Sequence, residues 1–162
     1  MSRHDAPFTM LQQASPSNPA AGYTKIFFKS GDILYARSSA GVERRVTPGV
    51  NFAFSVTGTL IVQTGAHRIY NDTGDTLTIK SVRASVGTAP TGAAILCDVN
   101  VDGTTIFSGG TNRPNIAVST NTNKTTGMST TTIADGSYFT VDVDQIGSTV
   151  AGSNLTVQIL CG

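Results

Sequence analysis

Charge is scarce in this 162-residue chain: Asp, Glu, Lys and Arg together make 13% of it, against roughly a quarter in typical soluble domains. Glutamate occurs once, as Glu43, and tryptophan not at all. A surface short of Lys and Glu cannot build the i,i+4 ion pairs of exposed helices, which argues against a helical protein. Disorder is excluded as well, because 39% hydrophobic residues at a net charge of +1 is too apolar and too neutral for that class. The two histidines, His4 and His67, stand far apart, so neither makes a metal site by spacing. Two cysteines, Cys97 and Cys161, are too few for a disulfide framework or a zinc site. No stretch approaches the roughly 18 to 20 apolar residues of a membrane span, so no membrane insertion is expected. The leading MSRHDAPFTMLQQ lacks the apolar centre of a signal peptide, and synthesis in a cytoplasm is the expectation. The near-zero net charge gives no general attraction to nucleic acid, and no such partner is expected.

What is present is Thr, Ser, Asn and Gly. Thr-rich segments favour strands. A mass of 16.8 kDa suits one domain with an appendage, and the charge divides accordingly. Residues 1–48 carry Arg3, Lys25, Lys29, Arg37, Arg44 and Arg45 against Asp5, Asp32 and Glu43, a balance of +3. The remainder carries five basic residues and seven Asp, a balance of −2. A basic front piece precedes a mildly acidic body.

Residues 1–22 have no periodicity and contain Pro7, Pro16 and Pro19, which disfavour helix around them. With Phe8, Met10 and Leu11 as apolar anchors, they read as an extended docking arm. Residues 23–48 read as a meander. Tyr23 to Lys29 is β-prone and aromatic, Ser30-Gly31-Asp32 turns, Ile33 to Arg37 returns, and Val42 to Val46 forms a third short strand. Such a meander cannot cover its own apolar side chains. Tyr23, Ile26, Phe27, Phe28 and Tyr35 therefore join the arm's anchors as candidates for particle docking or oligomer contact.

Thr47-Pro48-Gly49 breaks the chain, and residues 49–162 read as a sandwich. Gly58 to Val62 and His67 to Tyr70 are strand candidates. Thr76 to Val86 alternates in two halves, with a parity switch between Ile79 and Val82 that predicts a bulge. In Ile95 to Val101 the odd positions are apolar, and Asp98 and Asn100 face the other way. Asp102-Gly103 is a tight hairpin turn into Thr104 to Phe107. Residues 119–132 are a polar loop or a flat edge strand. Phe139, Val141 and Val143 alternate with Asp142 and Asp144. Leu155, Val157, Ile159 and Cys161 close the chain on one apolar face. About eight strands with a turn every 8 to 12 residues predict an all-β fold, an antiparallel sandwich or jelly roll.

Chemistry finds few carriers. Asp98, Asp142 and Asp144 could meet if their strands pair, which raises Ca²⁺ ligation or paired-carboxylate catalysis. The blander reading is a solvated face. Cys97 and Cys161 read as buried free thiols, paired only if their strands are neighbours. His67 reads as a structural or surface residue. No nucleophile elbow and no phosphate-binding glycine pattern occurs, so an enzyme is not expected and no cofactor is implied. Asn112, Arg113, Asn121, Asn123, Lys124 and Tyr138 are the outward contact candidates. One outward aromatic alone speaks weakly for a lectin.

Two stretches carry a resemblance. Residues 15–47, with Pro16, Pro19, Ala20, Ala21, Gly22, Gly31, Asp32, Leu34, Tyr35, Gly41 and Glu43, resemble the N-terminal module of many tailed-phage structural proteins. VRASVGTAPTGAAILCDVNVDGTTIF and SYFTVDVDQIGSTVAGSNLTVQI resemble a β-sandwich module in virion proteins of phages of Gram-positive hosts. The resemblance implies a non-enzymatic virion-surface protein, usually trimeric, bound to a major capsid protein or a tail protein. Host cell-surface glycan is a further partner to consider. With no shaft or repeat in the chain, a capsid decoration protein or short head fibre is slightly favoured over a tail fibre or minor tail protein.

Overall fold

The computed structural model describes Gln12 and residues 14–29, 33–46, 49–110 and 112–162. The chain divides into two compact units, residues 1–48 and 49–162. His4, Phe8, Met10, Leu11, the Ser30-Gly31-Asp32 turn and Thr47-Pro48 lie outside the described residues.

In the first unit β1 (Thr24–Lys29), β2 (Ile33–Ser38) and β3 (Glu43–Arg45) form an antiparallel sheet in that order. Phe27 lies opposite Tyr35 in the β1–β2 register, with ring centroids 6.0 Å apart. Phe27, a candidate for docking or oligomer contact, is fully buried within its own unit. Phe28 and Tyr35 are half-buried. Tyr23 and Ile26 stay exposed, at 71% and 56%, as do Val42 and Val46.

Charged side chains do much of the remaining work. Glu43 receives both Lys29 and Arg37. Residues 14–22 are not a free arm. Asn18 Oδ1 accepts from Arg37 Nε at 2.8 Å, Ser17 accepts from Lys25 Nζ through its carbonyl and its hydroxyl, and Pro19 is buried. Further up the chain, Gln12 bridges Phe28 in parallel.

The second unit is an antiparallel β-sandwich. One sheet runs β10 (Thr122–Thr125), β6 (Leu77–Thr88), β13 (Ser153–Cys161), β4 (Val50–Thr59), with β11 (Thr132–Ile133) also on β6. The other runs β5 (Ile69–Tyr70), β12 (Tyr138–Gln145), β7 (Ile95–Val101), β8 (Thr104–Thr105), with β9 (Asn115–Ile116) also on β7. The alternating apolar residues of β4, β6, β7, β12 and β13 meet between the sheets in one contiguous core. Phe52 and Phe139 join the two layers, with centroids 5.2 Å apart. Each such ring contributes roughly 1.5–3 kcal/mol by leaving water.

Local sequence explains several joints. Asp102 and Gly103 both take positive φ, 50° and 82°, which is the twist a two-residue hairpin needs. The parity switch in β6 is a bulge: Leu160 faces Ser81 and Cys161 faces Ile79, leaving Lys80 unpaired.

Elsewhere the expectations need correction. The strand expected at Gly58 to Val62 ends at Thr59 and begins as early as Val50. Gly58, at φ 81°, turns the chain, Leu60 dives into the core, and Ile61 and Val62 are left exposed. His67 and Arg68 precede β5 rather than belong to it. Ile106 and Phe107 leave the ladder after Thr105 but remain buried.

Candidate functional site

The outer face of the second sheet carries a polar row. Asp98 and Asn100 project from β7, Thr140, Asp142 and Asp144 belong to β12, and Thr105 comes from β8. The register sets Asp98 opposite Asp142 and Asn100 opposite Thr140. The carboxylates therefore do converge, and the solvated-face reading holds for the exposed Asp144 but not for Asp98. Asp98, Asn100 and Thr140 are 5%, 8% and 9% exposed.

Arg113 is the cover. Its Nη2 reaches Asp98 Oδ2 at 2.9 Å, and its Nη1 pairs with Asp144. Asp98 Oδ1 accepts from Thr105 Oγ1 at 2.7 Å and from the Val99 amide at 2.8 Å. Asp144 is the extra residue of a second bulge, where Val143 faces Cys97 and Gln145 faces Leu96. Burial raises its carboxyl above the ordinary value. Arg113 opposes that shift, and the Asp98 and Asp142 charges add to it. Arg113 was expected as an outward contact and is instead an internal clamp. Its Nε, buried, has no hydrogen-bond partner.

A strap, residues 63–70, runs along the free edge of β12. Gln63 exchanges two backbone hydrogen bonds with Val143, and Ile69 and Tyr70 pair with Phe139 and Tyr138. Between them Gly65 donates its amide to Asp142 Oδ1 at 2.7 Å. Only glycine fits there, since a Cβ would stand 1.9 Å from the Val141 carbonyl oxygen. The other Asp142 oxygen accepts from Asn100 Nδ2 at 2.9 Å. Guanidinium, hydroxyl and amide donors occupy these three carboxylates, so the cluster is a hydrogen-bonded network. Among the described residues no group of three or more His, Cys, Asp or Glu side chains is placed to hold a metal.

At the strap's far end Tyr138 and Tyr70 pack with centroids 5.4 Å apart, and the Arg68 guanidinium lies 4.5 Å from the Tyr138 ring centroid. A hydrogen bond with the Tyr70 side chain, followed by the charge environment of Tyr138, raises the Arg68 pKa further. Two clefts flank the strap. The larger, about 610 Å³, opens toward β4 and includes the exposed His67. The smaller, about 360 Å³, lies over the polar row.

The remaining candidates scatter. Asn112 is exposed with φ 64°. Asn121 spends its amide on the Val86 and Gly87 carbonyls, and Asn123 Oδ1 accepts from the Asn115 amide. Both asparagines hold β10 and its approach in place. Lys124 is exposed on that edge strand, opposite Arg83. Tyr138 lines the smaller cleft together with Arg68, which sequence reasoning did not single out. The available signal was the run His67-Arg68-Ile69-Tyr70, an aromatic and a cation two residues apart on one face of an extended segment.

Cys97 and Cys161 are free and buried. Burial pushes their thiols up, to about 12 and about 11, so neither is a nucleophile at neutral pH. Compared with protein-family models, with curated proteins and with solved structures, the chain finds no match.

Proposed function

We propose that the chain is a non-enzymatic structural protein on the surface of a tailed-phage virion. Its first 48 residues dock on the particle, and the sandwich projects outward as a homotrimer. The observation that carries this reading is the contrast between the units. The small unit leaves Tyr23, Ile26, Val42 and Val46 open to water around a single buried ring, while the sandwich encloses a complete core. A small sheet with apolar surface to spare is built to be covered by something else.

The sandwich's winding supports the same reading. Successive strands pass between the sheets so that β4-β13-β6-β10 opposes β5-β12-β7-β8. We read this strand order as a jelly roll, an architecture shared by viral capsid and lectin domains, and the sequence resemblance points the same way.

A capsid decoration protein or short head fibre is slightly preferred over a tail-fibre or minor tail protein. Copy number against the major capsid protein, by quantitative mass spectrometry of purified particles, decides between them. Icosahedral symmetry gives on the order of hundreds of copies, and a tail organelle on the order of ten. Deleting residues 1–22 should abolish incorporation into particles. Normal incorporation of that truncation would sink the docking role.

A further inference from the structure

The smaller cleft, between the strap and the polar row, has the attributes of a ligand site. Its volume of about 360 Å³ falls in the usual range for such sites. Its lining is polar: Thr64, Arg68, Asn100, Tyr138, Thr140 and Asp142, with no aliphatic side chain larger than that of Ala66. A lipid or other apolar ligand would find nothing there to cover it.

The polar groups are fixed in place before any ligand arrives. Asn100 and Thr140 stand opposite each other on the two central strands. The Asn100 amide is oriented by Asp142, and Asp142 is oriented by the Gly65 amide. Arg68 is held against the Tyr138 ring. Such preorganisation lowers the ordering cost of binding.

What these groups leave free defines the ligand. Among the described residues, Asn100 spends its amide on Asp142, and no side-chain hydrogen bond engages its carbonyl oxygen or the Thr140 hydroxyl. The Asp142 carboxylate oxygens, each engaged by one N–H donor, have lone pairs left to accept hydrogen bonds from hydroxyls. Acceptors of this kind suit a ligand rich in hydroxyls. Arg68, in contrast, offers a fork of donors and forms no ion pair among the described residues, unlike Arg37 and Arg113. A guanidinium fork matches a carboxylate. A nucleic-acid backbone is a poor fit, because one arginine beside Asp102, Asp142 and the Asp98 and Asp144 row does not make a basic track.

We infer that this cleft is a saccharide site for an acidic sugar residue, whose carboxylate meets Arg68 while its hydroxyls meet Thr140, Asn100 and Asp142 beside the Tyr138 wall. The site is independent of where on a particle the chain is mounted. Its failure would leave the proposed function standing, and copy number would not touch the site.

The test is calorimetric titration of the full chain, at low salt, with short galacturonate and glucuronate oligosaccharides and with their methyl esters. The esters keep every hydroxyl and lose the charge. The acids should bind, and the esters should bind about tenfold more weakly or not at all. Arg68→Gln, an exposed change, should weaken binding of the acids about tenfold, and Thr140→Val should weaken both forms. Arg83→Gln, on the other sheet, should change nothing. Absence of binding by the acids, equal binding of acids and esters, or acid binding untouched by Arg68→Gln would each overturn the assignment. Circular dichroism of the variants separates lost binding from lost fold.

Discussion

The small unit anchors its sheet on one buried aromatic ring, Phe27, and surrounds that ring with ionic contacts at Lys29, Arg37 and Glu43. The sandwich does the reverse. Its core is a contiguous apolar cluster, and a polar network sits on an outer face beneath Arg113. Both are antiparallel β-structure, yet they differ in what would disturb them. A core of interlocked side chains depends on volume. A ring flanked by half-buried ion pairs depends on charge state, and a pair still open to water adds little by itself. The comparison separates a part that holds its own shape from a part whose apolar residues still look for cover.

The largest expected effect lies in the sandwich. Phe139→Ala should destabilise it by about 3–5 kcal/mol, because the ring spans both layers and its loss leaves a cavity. In urea unfolding followed through the two units separately, that variant should shift only the sandwich transition. Phe27→Ala should shift only the other. A single transition displaced by both variants would erase the distinction between the units.

A smaller effect is expected at the polar row. Asp98→Asn removes the charge that faces Arg113 and should cost about 2 kcal/mol. It should also loosen the approach to β9, seen as faster amide exchange at Asn115 and Ile116. Unchanged exchange there would mean that Arg113 is not the clamp.

The smallest effect is one of pH. Hydrogen bonds from Lys29, Ser15 and Arg37 hold the Glu43 carboxyl at about 2, below its ordinary 4.5. Its contribution to the small unit is therefore complete above about pH 4.5 and disappears as pH falls through about 2. Amide protection in β2 and β3 should decline over that window, while that of β13 should not. Glu43→Gln should flatten the decline. Equal acid sensitivity in both units would place the responsible group elsewhere.

Much of this architecture could be read from residue order. The meander, the Asp102-Gly103 hairpin, the β6 bulge and the closing strand all follow from alternation and turn chemistry. Those signals are local. What escaped was not local. Periodicity shows that Asp98 and Asn100 leave the core side of β7, but it does not show that Arg113, many residues on, folds over them. Val50 to Thr59 was missed as one strand because Gly58 suggested a start where the chain was in fact leaving. The strap has no alternation of its own, since its partner is a strand edge and the side chain of Asp142. Tyr70 and Arg68 become neighbours of Tyr138 only through that pairing. Of the residues lining the smaller cleft, Tyr138, Asn100 and Asp142 were legible from sequence as outward positions, and Arg68 was not.

The close approach of Gly65 to the Val141 carbonyl has a colloidal consequence. A sheet edge with open hydrogen-bonding groups invites another molecule to add a strand, and crowding many copies side by side multiplies the opportunity. By lying flat on β12, with no side chain to prop it away, the strap takes up part of that edge from within the same molecule. A larger residue at that position would lift the strap and reopen the edge. The first symptom would then be turbidity at high protein concentration, before any change in the folded core.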